Sequence, residues 1–233
     1  MRYLIGAEGK QRFLKEPAGT PIVVDVLRAS STIVAALWAG AKEIIPIEDA
    51  NEALALGKKM NAVLVGERNG VKLDGFEYNN SPSEMLAADL KGRTIVMTTS
   101  NGVKVMVDGG IVGSTLNAGA VAEHVMSIDR TYLLASNPLR SIEDLNAASI
   151  IEVMALMLGS GWFTYEAERY VQDNAQCQEL LDGIRDSPAG ERIARLGHED
   201  DVEMVCTAIN RFPIVPVYRN GSIAIEKWPS PGC

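Results

Sequence analysis

The sequence predicts an α/β fold of three layers, α/β/α, with a mostly parallel sheet, a helical C-terminal part and a closing β-hairpin. Three observations predict it. Short apolar, β-branched runs alternate with helix-period segments as far as residue 135, the pattern of repeated β–α units whose parallel strands are covered by helices on both faces. From Glu143 to about Asn210 the chain then reads as mainly helical. Finally, "IVPVYRNGSIAI" at 214–225 sets an Asn-Gly pair between apolar runs, the chemistry of a tight hairpin turn.

Taken in order, "IVVDV" at 22–26 is a strand, and "SSTIVAALWAG" is a capped helix ended by Gly40. "EIIPI" at 43–47 leads into the helical "EDANEALALGKKM". "AVLVG" at 62–66 runs into a polar, glycine-containing loop that reaches Asn80. "SPSEMLAADL" opens a helix with Ser81 as N-cap, Pro82 in the first helical position and Glu84 three residues after the cap. "TIVMT" at 94–98, "GIVGS" at 110–114 and "TYLLA" at 131–135 are further strands, each followed by a helical segment. No Pro-, Gly- or Ser-rich linker, repeat or low-complexity tract divides the chain, so residues 1–233 are expected to form one domain.

Composition narrows the function. Apolar residues make up 47% and charged residues 22%, ordinary globular values. The net charge of −8, with no run of Lys and Arg, argues against nucleic acid as a partner. No apolar stretch approaches the roughly 20 residues of a membrane span, and the N-terminus lacks the apolar core and cleavage site of a signal peptide. Cys177, Cys206 and Cys233 are widely spaced and suit reduced thiols, and no Cys or His pair has zinc-ligand spacing. The expectation is a cytoplasmic protein with neither nucleic-acid nor membrane partners. The sequence permits a homo-oligomer without indicating one.

Ligands of open α/β sheets bind outside the carboxyl ends of the strands, where loops meet helix N-termini. The first strand delivers Asp25, Arg28, Ser30, Ser31 and Thr32 there; the third delivers Glu67, Arg68, Lys72, Asn80 and Ser81 through "GERNGVKLDGFEYNNSP". The fourth delivers Thr98, Thr99, Ser100 and Asn101 in "TTSNG", and the sixth leads to Glu143 and Asp144. Hydroxyls that open a helix suit an anion, because free N–H groups and the helix dipole attract it and the hydroxyls add donors. Arginine adds a planar fork for phosphate, carboxylate or sulfonate oxygens. Carboxylates beside such an anion need a cation between them, and Mg²⁺ is the hard ion that bridges carboxylate to phosphate. The residues therefore point to a small anionic phosphorylated substrate handled with Mg²⁺. Asp25, Glu67 and Arg28 are the catalytic candidates, and Asp25, Glu67, Glu143 and Asp144 the metal candidates. The hydroxyls, Arg68, Lys72 and the asparagines are left for the substrate. Plainer readings exist for the same residues: Ser30–Thr32 and Thr98–Ser100 as helix caps, Asp25 and Arg28 as a structural pair, His124 and His198 as packed or solvated.

These segments also resemble a known family. "VVDVLRASSTIVAAL", "VGERNGVKLDGFEYNNSPSEM", "TIVMTTSNGV", "RSIEDLNAAS" and "GHEDDVEMVCTAINRFPIVPVYRNG" are similar, in this order, to segments of the 2-phosphosulfolactate phosphatases, over about residues 20–222. The resemblance implies an α/β/α domain and a magnesium-dependent acid phosphatase that hydrolyses 2-phospho-3-sulfolactate to 3-sulfolactate, a step toward coenzyme M. The chain departs from the family pattern at Ser100 and Val103, where threonines are expected. It departs again at Ala135, Ser136 and Asn137, in place of Cys-Ala-Gly, and at Ala147, in place of a cysteine. Thiol chemistry is thus unavailable at those positions, whereas the acids and arginines of a metal-assisted hydrolysis remain.

Two other functions fit less of the chain. A nucleotide-dependent oxidoreductase needs G-x-G-x-x-G after the first strand, and "DVLRASS" has no glycine. A non-catalytic binder of phosphorylated ligands needs the arginines and hydroxyls but not the carboxylates.

Overall fold

The computed structural model describes residues 2–15, 17, 19–128, 130–136 and 142–226. The chain begins with β1 (Arg2–Ile5), α1 (Gly6–Lys15), β2 (Thr20–Val24), α2 (Ala29–Trp38), β3 (Glu43–Pro46) and α3 (Ala50–Met60). It continues through β4 (Val63–Arg68), β5 (Val71–Lys72), α4 (Pro82–Ala87), β6 (Thr94–Thr98), β7 (Gly110–Gly113), α5 (Ala118–Val125) and β8 (Thr131–Ala135). The helices α6 (Ile142–Gly159), α7 (Thr164–Asp173), α8 (Ala175–Arg185), α9 (Pro188–Arg195) and α10 (Glu199–Thr207) follow, then β9 (Pro216–Arg219) and β10 (Ser222–Ile225). The fold is α/β, as the alternation predicts. β2 ends at Val24, two residues earlier than expected, so Asp25 stands just past the strand. Three further elements, β1, α1 and the short β5, join those expected from the sequence. One expectation is corrected: β6 is followed by a single 3₁₀ turn, Gly102–Val105, not by an α-helix.

Local chemistry explains the helix ends. Asp49 accepts the N–H groups of Asn51 and Glu52 to start α3, and Ser81 accepts that of Glu84 to start α4 behind Pro82. The Glu84 carboxylate reaches back past the cap to the N–H of Asn79, at 2.8 Å. Asn220 and Gly221 both take left-handed φ values, 52° and 86°, which the two-residue hairpin turn between β9 and β10 requires.

The ten strands form one sheet in the order β1-β8-β2-β7-β9-β10-β3-β6-β4-β5. The C-terminal hairpin therefore lies in the middle of the sheet. β7 pairs antiparallel with β9, β9 with β10, and β10 with β3. Three antiparallel steps leave the parallel half-sheets β1-β8-β2-β7 and β3-β6-β4 running in opposite directions. One hydrophobic cluster nevertheless gathers Val23, Val112 and Leu134 from the first half with Val63, Val65, Ile95 and Met97 from the second, around Ala29, Ile33, Ala36 and Leu37 of α2. The sheet thus curls about α2, which is buried on all sides from Ala29 to Leu37. The alternate residues Ile22, Val24, Ile111 and Leu133 face α5–α10 across the first half-sheet. Leu64 and Val96 face Ala53 of α3 across the second. That curl brings the carboxyl ends of both half-sheets to one place.

Candidate active site

The carboxyl ends of β2, β4, β6 and β8 meet at one cavity. Its lining includes Asp25, Arg28, Glu67, Asn80, Ser100, Asn101 and Glu143 from the expected set, with Gly70, Ser136, Ala189, Arg192 and Ile193 beside them.

Asp25 is buried, and its Oδ1 accepts the N–H of Ala29 at 3.2 Å. Its Oδ2 lies against Gly102, where a Cβ would stand only 2.8 Å away. Burial pushes its carboxyl up from the ordinary aspartate range, the nearby charge of Glu67 adds to that, and the N–H of Ala29, the Ser136 hydroxyl and Arg28 oppose it. Glu67 organises the loops opposite: its carboxylate accepts the N–H groups of Ser100 (2.6 Å) and Gly70 (2.7 Å) and the Ser100 hydroxyl (3.1 Å). Glu143, at the start of α6, is buried and pushed up, by burial first and then by Asp25.

Arg28 is buried as well. Its Nη1 donates to Asp201 at 2.8 Å and its Nη2 to the Gly70 carbonyl at 3.1 Å. Asp201 has no exposed surface and also accepts from the hydroxyls of Ser81 and Ser83 and the N–H of Ser83. Most of the guanidinium fork is spent on the protein, which leaves the cavity fewer donors from Arg28 than the sequence suggests.

Several expected residues lie off the cavity. Ser30 accepts the N–H of Asp25, and Ser31 donates to the Val26 carbonyl and meets the Ser114 hydroxyl at 2.8 Å. Thr32 is buried one position further along α2. Arg68 donates to the carbonyls of Glu67 and Glu48 and to Thr98, tying the second half-sheet together. Thr98 donates to the Glu48 carbonyl, Thr99 accepts the N–H of Val103, and Ser81 caps α4. Lys72 is exposed and reaches the Glu77 carbonyl. Asp144 is buried behind the cavity and accepts from the N–H groups of Val26 and Ser136 and the Ser136 hydroxyl, which clamps the ends of β2 and β8 to α6. Burial, with the charges of Asp25 and Glu143, pushes its carboxyl well up. Apart from that of Thr32, the hydroxyls of these expected residues bond to the protein itself, as does Arg68, and none of them lines this cavity.

Sequence reasoning missed Asp201 and Arg192. Both sit on amphipathic helices, where a charged residue reads as solvated face. Of the departures from the family pattern, Ser100 and Ser136 line the cavity, and Val103, Ala135 and Ala147 are buried. Asn137 and Cys233 lie outside the described residues. Cys177 and Cys206 are buried among α6–α10, away from the cavity. Burial raises both thiols, that of Cys206 to about 11.

The donor set suits a hard cation. Among the described residues, three buried side-chain oxygens or nitrogens find no hydrogen-bond partner: Thr32 Oγ1, Asn80 Oδ1 and Glu143 Oε2. Two of the three line this cavity, beside Asp25. Orphaned buried acceptors are costly, and an oxygen-ligated cation satisfies them. No three His, Cys, Asp or Glu side chains among the described residues cluster tightly enough to form a cage by themselves. Mg²⁺ does not need one, since it uses one or two carboxylates and completes its shell with water and phosphate oxygens.

Comparison with known proteins points to a phosphatase family. Residues 8–221 match the family described as 2-phosphosulpholactate phosphatase. A probable 2-phosphosulfolactate phosphatase of Thermotoga maritima is 37% identical over 218 residues, 90% of this chain and 93% of its own. Similarly named proteins of Carboxydothermus hydrogenoformans and Caldanaerobacter subterraneus are 34% and 31% identical, over 88% and 87% of this chain and 89% and 88% of theirs. With an acid-lined cavity at the strand ends and a match across nearly its whole length, this chain belongs to the 2-phosphosulfolactate phosphatase family, which are phosphoric monoester hydrolases.

Proposed function

We propose that the protein is a Mg²⁺-dependent phosphatase that hydrolyses 2-phospho-3-sulfolactate, or a closely related phosphorylated hydroxy acid, to the free hydroxy acid and phosphate. The observation that carries this reading is the gathering of Asp25, Glu67 and Glu143 with the orphaned oxygens of Asn80 and Glu143 in one cavity. A dianionic phosphate does not enter such a site without a cation. Asp25, Glu143 and Asn80 are the residues that would hold Mg²⁺, which when bound neutralises charge on the phosphoryl oxygens. Glu67 keeps the Gly70 and Ser100 loops in place, and the remaining N–H donors of Arg28 meet the phosphoryl group. Asp25 either attacks phosphorus or takes the proton of the attacking water. On this reading the product serves coenzyme M synthesis in the cytoplasm. The names of the relatives support the substrate. No helix among the described residues is long and apolar enough to cross a membrane.

The test is phosphate release from a panel of phosphorylated small acids, with Mg²⁺ and with EDTA. Metal-dependent release that is greatest for 2-phospho-3-sulfolactate is expected. Equal release in EDTA, or none from any acid, would sink the proposal.

A further inference from the structure

Among the described residues, the cavity has an acidic floor and one exposed cation in its lining. Asp25, Glu67 and Glu143 are buried, and Arg28 is committed to Asp201 and Gly70. Arg192 lines the same cavity from α9 and is exposed, and its guanidinium makes no hydrogen bond or ion pair among the described residues. Its charge opposes the upward push on Glu143, and Glu143 Oε2 has no donor. Ala189 and Ile193 share that face of α9, three and four residues being the spacing of one helix side, and they add no polar group. The helix is also held at a set distance. Gly70 takes φ +86°, and a Cβ on it would stand 2.7 Å from Cδ1 of Leu196 and 3.2 Å from Cδ1 of Ile193.

A phosphorylated hydroxy acid brings a second negative group, and in this cavity only Arg192 offers it an uncommitted cation among the described residues. We infer that Arg192 is the specificity-determining residue that binds the anionic group remote from the phosphate ester, sulfonate or carboxylate. It thereby makes the enzyme prefer phosphorylated acids to simple phosphate esters. The inference rests on the phosphatase reading above. Its chemistry is that of the guanidinium fork, whose paired donors match the oxygens of either group.

The experiment compares the full-length protein with Arg192→Ala and Arg192→Lys, with Mg²⁺, on 2-phospho-3-sulfolactate, 2-phospholactate and p-nitrophenyl phosphate. Arg192→Ala should lower kcat/KM for the sulfonated substrate about tenfold more than for p-nitrophenyl phosphate, the size of one lost charge-assisted contact. Arg192→Lys should recover part of it. A matching loss on 2-phospholactate assigns the contact to the carboxylate; a loss confined to the sulfonated substrate assigns it to the sulfonate. Equal losses on all three substrates, or none, overturn the inference. Calorimetric titration with 3-sulfolactate, which keeps both remote anions and no ester, separates the two levels of the argument. Weaker binding to Arg192→Ala by about tenfold supports the inference even if the wild type releases no phosphate, in which case the reaction assignment alone fails. Unchanged binding beside normal phosphate release overturns the inference alone.

Discussion

The carboxylate of Asp25 rests on the backbone of Gly102: a methyl group there would stand 2.8 Å from Oδ2 and 2.4 Å from Cβ of Ala29. The contact joins the end of β2 to the turn after β6, and so the two half-sheets, at the point where chemistry is proposed. Gly102→Ala should therefore cost about 1–3 kcal/mol of stability, as overpacking does. Activity should fall by up to about a hundredfold, the price of misplacing a reacting group. Denaturant melts and steady-state kinetics would show it; wild-type turnover would mean that the carboxylate is free to move aside.

Asp25→Asn separates function from stability. Burial and Glu67 raise the carboxyl in the folded protein. Its ionisation therefore costs stability, a cost absent below the unfolded pKa and complete once pH has risen through the folded one. At neutral pH the metal-free variant should melt at or above the wild type, while phosphoryl transfer falls by about a hundredfold or more. Mg²⁺ should raise the melting temperature of the wild type and much less that of the variant, because a ligand of the folded state stabilises it by mass action. Partial rescue at high Mg²⁺ marks a ligand; no rescue, with phosphate trapped on Asp25 of the wild type, marks a nucleophile. An unaltered Mg²⁺ shift in the variant would remove Asp25 from the metal.

At a strand end, as the sequence places it, Arg28 would be replaceable without loss of the fold. The buried pair with Asp201 changes that expectation. Removing one partner of a buried ion pair typically costs about 3–5 kcal/mol, so Arg28→Met and Asp201→Asn should each melt much lower, and the double variant should recover part of the loss. Simple additivity in that cycle would show that the two side chains do not depend on each other.

Cys177 and Cys206 should resist iodoacetamide at pH 8 in the folded protein and react once it is unfolded, since burial raises both thiols. Mass spectrometry of digests would locate the label. Replacing both by Ser should leave turnover within about twofold at some loss of stability. Abolished activity in a folded variant would place a thiol in the reaction.

The strands and the strand-end location of the cavity were legible in the sequence because apolar runs of β-branched residues report directly on burial. β1 was not: its apolar run, Tyr3 to Ile5, is only three residues long, and at the sheet edge three of the strand's four residues are exposed. The position of the hairpin was not legible either. Asn220 and Gly221 specify the turn, but which strands flank it depends on pairings far away in sequence. The same separation explains the site. Asp25 and Glu67 stood out as acids beside apolar strands, whereas the fate of Arg28 is decided by Asp201, 173 residues away. Hydroxyls at a helix start look alike whether they face a ligand or, like Ser31, a neighbouring strand end.

The hairpin in the middle of the sheet has a consequence for how the protein is made. A ribosome delivers β1 to β8 first and residues 216–225 after them. Until β9 and β10 emerge, β7 and β3 are open edges with no ladder between their half-sheets, the kind of unpaired edge that invites association with other chains. Asp25 and Glu67 belong to halves that this last segment joins. The hairpin works as the keystone of an arch: it supplies the backbone ladder between the halves that carry the proposed catalytic groups, and it is the last stretch of that sheet to be synthesised.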